Sequence, residues 1–338
     1  FSDYSRIYHS VESTSGWTTT QVRDSIDLSQ PVQIHIDSND LSNLIYVDDQ
    51  GQVELATFNS SWSLIQLANT TIGDDFDSLI LDNDNILLAQ IVQSDWTTNT
   101  FLQVIEYDEN LNSTISNLTI TNISSEFELD MVNSTTIGLS WLDGSNLKVM
   151  ERNLSGGNWT LTKSLNLFNV SANASITMSG SSILFESDTL YSGILTRDSN
   201  GNWSSISFDL PSTKNRFEFI VDGQRWHITS TNSNDELVWT TGTLGSTNLI
   251  HSYEFPAITL SDSAPMVIAN GALSFVFHND KSLDFSMMRF LSDADRDLIP
   301  DSHDQLPSVG GQWQDTDSDG FGDSAMGPWT DDCPNSVG

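Results

Sequence analysis

A turn followed by a short strand-like run recurs through this chain at almost constant spacing. Examples are GWTTTQV from Gly16, SWSLIQL from Ser61 and NWTLTKSL from Asn158. Aligned on one position, the repeats step by 45, 51, 46, 44 and 45 residues, at Trp17, Trp62, Ser113, Trp159, Trp203 and Asn248. A period of about 40 to 50 residues with four strands in each repeat is typical of β-propellers, in which one repeat is one blade. The spacing therefore predicts a β-propeller.

The residues between these turns form a pattern of strands. Runs rich in Val, Ile, Leu, Phe and Thr are bounded by Asn, Asp, Gly and Ser at intervals of 8 to 12 residues, and no long segment has a helical period. Between Trp17 and Trp62 we expect four strands, VQIHID, NLIYVDD, VELATFN and SWSLIQL. We predict an all-β chain with the propeller over residues 1–290. A tandem of β-sandwiches is the structural alternative, against which only the regular step argues.

The two ends of the repeat region suggest how the propeller closes. After five units come only three more strands, MVIANG, LSFVFHND and LDFSMMRF, while the chain starts with YSRIYHS and GWTTTQV. A sixth blade made from both termini would remove two free sheet edges. The third-strand position then has two candidates, YSRIYHS and LDFSMMRF. We therefore predict six blades, the last closed by both termini, with a seven-bladed parent whose first strands precede Phe1 as the alternative.

Residues 291–338 hold two closely spaced runs of aspartates. The spacing matches a calcium loop, in which alternate oxygens of a tightly curled segment reach one cation and the seventh position gives its backbone carbonyl. In the first run these positions are Asp293, Asp295, Asp297, Ile299, Asp301 and Asp304. In the second they are Asp315, Asp317, Asp319, Phe321 and Asp323, with Gly320 at the sharp turn and Asp331 or Asp332 as the closing carboxylate after an insertion. We expect both runs to bind Ca²⁺.

The residues around these two runs indicate which class of calcium-binding loop they belong to. An EF-hand would need flanking helices, which Pro300, Pro307, Pro328 and Pro334 exclude. Residues 293–335 resemble the thrombospondin type 3 repeat, whose pattern is D-x-D-x-D-G-x-x-D-x-x-D with Cys-Pro after it. The second run is followed by Cys333 and Pro334, while the first run has Leu298 in the place of the Gly and no Cys. This resemblance implies an irregular, calcium-organised tail. It also implies that Cys333 pairs with a cysteine outside this fragment, with a free thiol as the alternative.

The blades show a fainter resemblance, to secreted propellers with sialidase-like or YVTN-like repeats. It rests on the order inner strand, D-x-x-x, strand, Gly, strand, turn and Trp. The turn from Thr196 to Trp203 approaches a sialidase Asp-box, with its Gly one place late. We interpret it as a blade turn without a catalytic role.

The charge and hydropathy of the chain argue against nucleic acid and membrane as partners. There are 46 acidic and 12 basic residues, a net charge of −34, which excludes nucleic-acid binding through a basic face. No long apolar or basic amphipathic run predicts membrane insertion. The tail has few apolar residues, so metal binding would supply its folding energy.

Glycosylation signals place the chain outside a cell. Eleven Asn residues begin N-x-S/T, at Asn59, Asn69, Asn112, Asn117, Asn122, Asn133, Asn153, Asn158, Asn169, Asn173 and Asn202. Polar turn chemistry is the alternative explanation. Extracellular calcium, near millimolar, also suits loops of modest affinity. We expect a secreted or cell-surface glycoprotein, present here as a fragment or a processed product.

The sequence contains little evidence for a catalytic site. A sialidase needs three arginines around a carboxylate, and the inner halves of the blades offer only Arg216 and Arg225, both in one blade. A glycosidase needs two carboxylates, for which Asp37, Asp82, Asp130 and Asp222 are candidates expected by chance in so acidic a chain. His35 and His227 are interpreted as packing or surface residues. Of the aromatics, only those out of phase with the blades could mark a recognition face, namely Trp96, Trp141, Trp226 and Trp239.

We therefore predict a non-enzymatic structural or binding protein, a propeller displayed on a calcium-stiffened linker. Neighbouring copies in a surface assembly or filament, other surface proteins and glycans are the expected partners besides calcium. A secreted polysaccharide-active enzyme of propeller fold is the alternative.

Overall fold

The computed structural model describes most of the chain in segments. These are residues 6–13, 16–27, 32–67, 72–93, 100–108, 110–111, 113–121, 123, 127–167, 175–186, 192–208, 215–245, 249–260, 266–269, 272–279, 284–289, 304–323 and 329–331. Within them lie 25 β-strands, and no helix long and apolar enough to cross a membrane occurs there. The prediction of an all-β chain is confirmed.

Five four-stranded sheets follow one another along the chain, each made of consecutive strands. The first holds β3 (Gln33–Ile36), β4 (Ser42–Val47), β5 (Val53–Asn59) and β6 (Ser61–Gln66). The second holds β7 (Ile72–Ile80), β8 (Ile86–Gln93), β9 (Thr100–Tyr107) and β10 (Ser113–Thr121), and the third β11 (Phe127–Asn133), β12 (Thr136–Asp143), β13 (Asn146–Asn153) and β14 (Thr160–Asn166). The fourth holds β15 (Ser175–Ser179), β16 (Ser182–Glu186), β17 (Ser192–Arg197) and β18 (Trp203–Phe208), and the fifth β19 (Asn215–Asp222), β20 (Arg225–Thr231), β21 (Glu236–Thr243) and β22 (Leu249–Thr259). This repetition of four-stranded sheets is a β-propeller, as the 45-residue step predicted.

Two smaller sheets hold the remaining strands. β1 (Arg6–Ser13) pairs with β2 (Gly16–Asp24), and β23 (Met266–Ala269), β24 (Ala272–Asn279) and β25 (Asp284–Arg289) form a three-stranded sheet. The strands expected near both termini are therefore present. In the described segments they form two separate sheets, and the six-bladed and seven-bladed closures both stay predictions.

Strand composition follows position within a blade. The second strand of a blade, such as β12, is buried along nearly its whole length, whereas the outer strand β14 is largely exposed. A strand covered on both faces must be apolar at consecutive positions, and one that faces solvent can be polar. This is why TIGLSWLD and TLTKSLN have such different compositions.

The chain divides into two compact units, Phe1–Tyr191 with Leu195–Ser204, and Ser192–Ile194 with Ser205–Gly338. In the first unit, apolar clusters join consecutive sheets; one contains Ile45 and Val47 of β4 with Phe76 of β7 and Leu88 of β8. In the second unit, one cluster joins β21 and β22 to Met266, Leu273 and Trp313. Trp313 comes from the predicted tail, so described tail residues pack on a blade. The predicted boundary at residue 290 lies outside the described residues.

Aspartate and asparagine side chains close many of the hairpin turns. Asp48 Oδ1 accepts hydrogen bonds from the backbone N–H of Gln50 and Gln52, each at 2.9 Å. Asp198 Oδ1 accepts in the same way from Asn200 at 2.9 Å and Asn202 at 2.8 Å. Such side chains replace a backbone acceptor in the turn. The D-x-x-x pattern is thus a turn signal, and the Asp-box-like segment before Trp203 is a blade turn, as predicted.

Candidate calcium loop and the carboxylates of the blades

Three aspartates of the second run come together. Asp315, Asp317 and Asp319 each offer an oxygen, and these atoms lie within 4.8 Å of one another. The donors are all carboxylates, the ligand type that a hard cation such as Ca²⁺ prefers. The structure therefore brings together the first, third and fifth positions of the predicted loop.

The backbone curls around the first of these carboxylates. Asp315 accepts hydrogen bonds from the N–H of Asp319 at 3.1 Å and of Gly320 at 2.9 Å. Gly320 has φ of +93°, a left-handed conformation that glycine adopts without steric cost. Phe321 donates its N–H to Asp319 Oδ1 at 3.0 Å. The predicted sharp turn at Gly320 is present.

Asp317 has an unusual environment for a carboxylate. Both of its oxygens are shielded from solvent. Burial raises the pKa of Asp317, and the negative charges of Asp319, Asp331 and Asp315 raise it further. A backbone hydrogen bond from Asp319 lowers the pKa of Asp317, but these larger effects outweigh it. A cation between these carboxylates would relieve their mutual repulsion. The residues present therefore fit a bound cation.

The chain returns to the loop after the insertion. Gly322 donates its N–H to the carbonyl of Trp329 at 2.8 Å, and Asp331 donates its N–H to the carbonyl of Gly322 at 2.9 Å. This pairing brings Asp331 close enough to affect the pKa of Asp317. Of the two expected closing carboxylates, Asp331 is thus near the loop, while Asp332 lies outside the described residues. Asp323 instead has both oxygens within hydrogen-bonding distance of Thr316.

The first run is mostly outside the described residues, which exclude Asp293, Asp295, Asp297, Ile299 and Asp301. Asp304, its last position, is buried and accepts the N–H of Leu306 at 2.7 Å. Cys333 is also outside the described residues. The first calcium loop and the disulfide stay predictions.

Five of the eleven glycosylation signals have described Asn side chains, and all five are exposed, at Asn59, Asn133, Asn153, Asn158 and Asn202. Asn69, Asn112, Asn122, Asn169 and Asn173 are outside the described residues, and Asn117 lies in β10 without a described side chain. Asn133 Oδ1 accepts from the N–H and hydroxyl of Thr135, each at 2.9 Å. Asn153 contacts Ser155 in the same way. Exposure permits a glycan, and the turn contacts fit the alternative, so both interpretations stay open.

The four carboxylates considered for catalysis have different environments. Asp37 is a turn residue that accepts the N–H of Asn39 at 2.9 Å and of Leu41 at 3.0 Å. Asp82 is exposed in a turn, and the side chain of Asp222 is outside the described set. Asp130 accepts the N–H of Gly180 at 2.6 Å and of Met131 at 2.7 Å. Asp37 and Asp130 thus both serve structural hydrogen bonds.

The sequence reasoning missed a buried carboxylate beside Asp130. Asp77 accepts the N–H of Leu129 at 2.6 Å, of Ser78 at 2.8 Å and a Gln33 side-chain N–H at 2.8 Å. Burial raises its pKa to about 6, and the charge of Asp130 adds to this. Asp77 and Asp130 each reach from one inner strand to a neighbouring blade. They connect neighbouring blades, and no sequence pattern sets them apart from other aspartates.

A glutamate–arginine pair that repeats from blade to blade was also missed. Glu151 on β13 accepts Arg197 Nε and Nη2 of the next blade, each at 2.9 Å, and Trp203 Nε1 at 2.8 Å. Glu106 on β9 pairs with Arg152 of the next blade at 2.8 Å. In both pairs the partners are 46 residues apart, one blade period, which is the signal that could have identified them. The repeated Trp at the outer strand here covers an inter-blade ion pair.

The histidines and off-phase aromatics are mostly core residues. His227 is fully buried and stacks on Trp239 with ring centroids 5.9 Å apart, as the packing interpretation predicted. His35 Nε2 lies 2.9 Å from Ser78 Oγ, and burial lowers the pKa of His35 to about 4. Trp141, Trp226 and Trp239 are all buried, so none of them forms a recognition face; Trp96 is outside the described residues.

The chain was compared with known families and structures. No family model and no curated protein matches the sequence. A variant of the Aleuria aurantia lectin, in complex with a disaccharide of fucose and GlcNAc, matches with a TM-score of 0.53 and 12% identity, covering 80% of this chain and 94% of the lectin. The SapL1 lectin in complex with α-methyl fucoside matches with a TM-score of 0.53 and 10% identity, covering 78% of this chain and 94% of the lectin. A protein thought to be a 6-phosphogluconolactonase, from Bacteroides uniformis, matches with a TM-score of 0.50 and 8% identity, covering 82% of this chain and 92% of that protein. At these identities the matches show a shared β-propeller fold.

Proposed function

We propose that this chain is a non-enzymatic binding protein in which a β-propeller carries a calcium-binding C-terminal loop. The observation that supports this most directly is the loop at Asp315, Asp317 and Asp319. One oxygen from each carboxylate converges within 4.8 Å, and both oxygens of Asp317 are shielded from solvent. Carboxylates in this arrangement repel each other unless a cation or protons join them. Near neutral pH, Ca²⁺ at extracellular concentration is the cation that best fits an all-oxygen loop with this spacing.

Titration calorimetry of the whole chain with CaCl₂ tests the loop. We expect binding with a dissociation constant on the order of 10⁻⁴ to 10⁻³ M, the range of extracellular modules. Asp317→Asn removes one charge from the centre of the loop and should abolish that binding event. Asp82→Asn is the matched control, because it makes the same charge change in an exposed turn of a blade. Unchanged binding by Asp317→Asn, or no calcium-dependent heat in the wild type, would contradict the proposal.

We propose glycans as the ligand class of the propeller. The support is the fold shared with two lectins in complex with fucose-containing ligands. The non-enzymatic assignment is supported by the hydrogen bonds at Asp37 and Asp130, which occupy carboxylates that a glycosidase would need free. A glycan array probed with the whole chain, with and without calcium, tests the ligand class. Turnover of any array polysaccharide, lost on Asp130→Asn, would favour the enzymatic alternative.

We also propose an extracellular or cell-surface location, a glycosylated surface and a six-bladed ring closed by both termini. The exposed Asn side chains support the glycosylated surface, and the two incomplete sheets support a shared blade. Assembly into a surface structure or filament, with Cys333 in an intermolecular disulfide, belongs to the same proposal. Light scattering in millimolar calcium checks assembly: a monomer under oxidising conditions would contradict it. Mass spectrometry of the secreted protein checks which Asn residues carry glycans.

A further inference from the structure

Trp313 connects the candidate calcium loop to the second compact unit. It lies two residues before Asp315, is only 9% exposed and belongs to the apolar cluster that contains Leu237 and Trp239 of β21. The guanidinium carbon of Arg225, on β20, lies 5.3 Å from the centroid of the Trp313 ring. A Trp held by apolar contacts and a cation–π contact is a strong anchor. This part of the tail is therefore docked on the fifth blade.

Hydrogen bonds tie this anchor to the loop at several points. Gln305 donates its N–H to the carbonyl of Trp313 at 3.0 Å, and its side-chain oxygen accepts the N–H of Asp315 at 2.6 Å. Asp323 donates its N–H to the carbonyl of Gln314 at 2.8 Å. The residues on both sides of Trp313 are thus bonded into the segment that holds the carboxylates.

Packing adds a second connection. Gln312 is completely buried, and a Cβ added to Gly322 would lie 2.0 Å from Gln312 Oε1. Gln312 Nε2 also donates to Thr330 Oγ1 at 3.4 Å. The residue before Trp313 therefore contacts both Gly322 and the returning segment that carries Asp331. Gln312 therefore connects the loop to the neighbouring residue, Trp313.

We infer that calcium binding at the loop and docking of Trp313 on β21 are thermodynamically coupled, so that calcium holds the tail against the fifth blade. The inference rests on the calcium site proposed above and adds its regulation. With calcium bound, the loop fixes Gln312 and the backbone of Trp313 in the docked geometry. Without it, repulsion among Asp315, Asp317, Asp319 and Asp331 loosens the segment. Coupling is reciprocal, so undocking Trp313 must weaken calcium binding by the same factor.

Hydrogen exchange of the whole chain, read by mass spectrometry, tests the coupling. We expect peptides of β21 (Glu236–Thr243) to exchange more slowly with millimolar calcium, and peptides of β12 and β13 in the first unit to be unchanged. In Trp313→Ala the protection of β21 by calcium should disappear. Calcium affinity measured by calorimetry should fall by roughly 5- to 150-fold, the usual range of coupling between sites.

Two further variants keep the test decisive. Trp159→Ala is the matched control, because Arg152 lies over Trp159 with its guanidinium carbon 5.5 Å from the ring centroid, in the first unit; its calcium affinity should be that of the wild type. Arg225→Gln keeps the apolar contacts of Trp313 and should weaken calcium binding less than Trp313→Ala, which covers the case in which the alanine variant does not fold. The inference fails if the wild type binds calcium but hydrogen exchange in β21 does not change, and if Trp313→Ala and Arg225→Gln both keep the calcium affinity of the wild type. The proposed calcium site would survive that result. Absence of calcium binding by the wild type would overturn the site as well.

Discussion

Replacing Glu151 by Ala should be among the most destabilising changes of a polar residue in this fold. The carboxylate accepts four hydrogen bonds, two from Arg197, one from Trp203 Nε1 and one from Thr162 Oγ1 at 3.0 Å. The Glu151 side chain is 9% exposed and that of Arg197 18%. The substitution would leave a largely buried guanidinium without its counter-ion and a buried indole N–H without its acceptor.

The expected loss of folding free energy depends on how deeply each ion pair is buried. Removing one partner of a buried ion pair costs about 3–5 kcal/mol, because the remaining charge is desolvated and unpaired. The Glu106–Arg152 pair is somewhat more exposed, at 25% and 11%, so Glu106→Ala should cost less. The Arg6–Asp24 pair is 37% and 60% exposed, and Asp24→Ala should change stability little, as for most surface pairs. The expected order of destabilisation is therefore Glu151, Glu106, Asp24.

Urea unfolding followed by Trp fluorescence measures the three costs, because the free energy of unfolding falls linearly with urea. A double variant distinguishes the attraction within the ion pair from the cost of leaving one buried charge unpaired. Glu151→Leu combined with Arg197→Leu removes both charges and should recover much of the lost stability. If Glu151→Ala costs no more than Asp24→Ala, or if the double variant is as unstable as Glu151→Ala, the inter-blade ion pair does not have the role assigned to it.

Three other predictions follow from single contacts. Gly242→Ala should cost about 1–3 kcal/mol or more, because its Cβ would lie 2.1 Å from Cζ2 of the buried Trp226 ring. Urea unfolding measures this loss, and unchanged stability would refute the close packing of Gly242 against Trp226. Asp48→Ala should cost about 1–2 kcal/mol, because two backbone hydrogen bonds to a buried carboxylate are lost. The same assay measures this cost, and a value near zero would contradict the turn-closing role. Asp77, whose pKa rises from 3.8 to about 6 on burial, favours folding below about pH 4, and this contribution, on the order of 3 kcal/mol, is lost as pH rises through 6. The stability of Asp77→Asn relative to wild type should therefore rise between pH 4 and 7, and parallel pH profiles of the two proteins would refute the shift.

The blade architecture could be predicted from the sequence because its signals are local. The turn before Trp203 and the alternating apolar runs of VELATFN and its equivalents repeat in every unit, and each reports the local position of a strand. Second strands such as β12 were identifiable because burial on both faces demands consecutive apolar residues. How the two ends of the chain share a blade depends on contacts far apart in sequence, which a repeat pattern does not encode.

The carboxylates show where sequence reasoning is insufficient. Asp37 and Asp130 both follow or lie in inner strands and looked alike, yet one closes its own turn and the other bonds to the next blade. The difference depends on which backbone N–H groups lie opposite, and that is set by blade packing. The pair Glu151 and Arg197 was accessible through the 46-residue spacing, which compares charges one blade apart instead of along one strand.

In so acidic a chain, the way each carboxylate is neutralised distinguishes structure from binding. Asp48 and Asp77 accept backbone N–H groups, and Glu151 accepts an arginine fork and an indole. Asp77 is buried like the oxygens of Asp317, but three N–H donors compensate it. The oxygens of Asp317 are shielded too, but the negative charges of Asp319, Asp331 and Asp315 lie around them and raise the pKa of Asp317. The structural carboxylates are thus matched by donors, whereas the loop brings several carboxylates together, and their repulsion is offset only by protons or a cation. Since protons are scarce near neutral pH, this contrast supports the cation proposed for the loop.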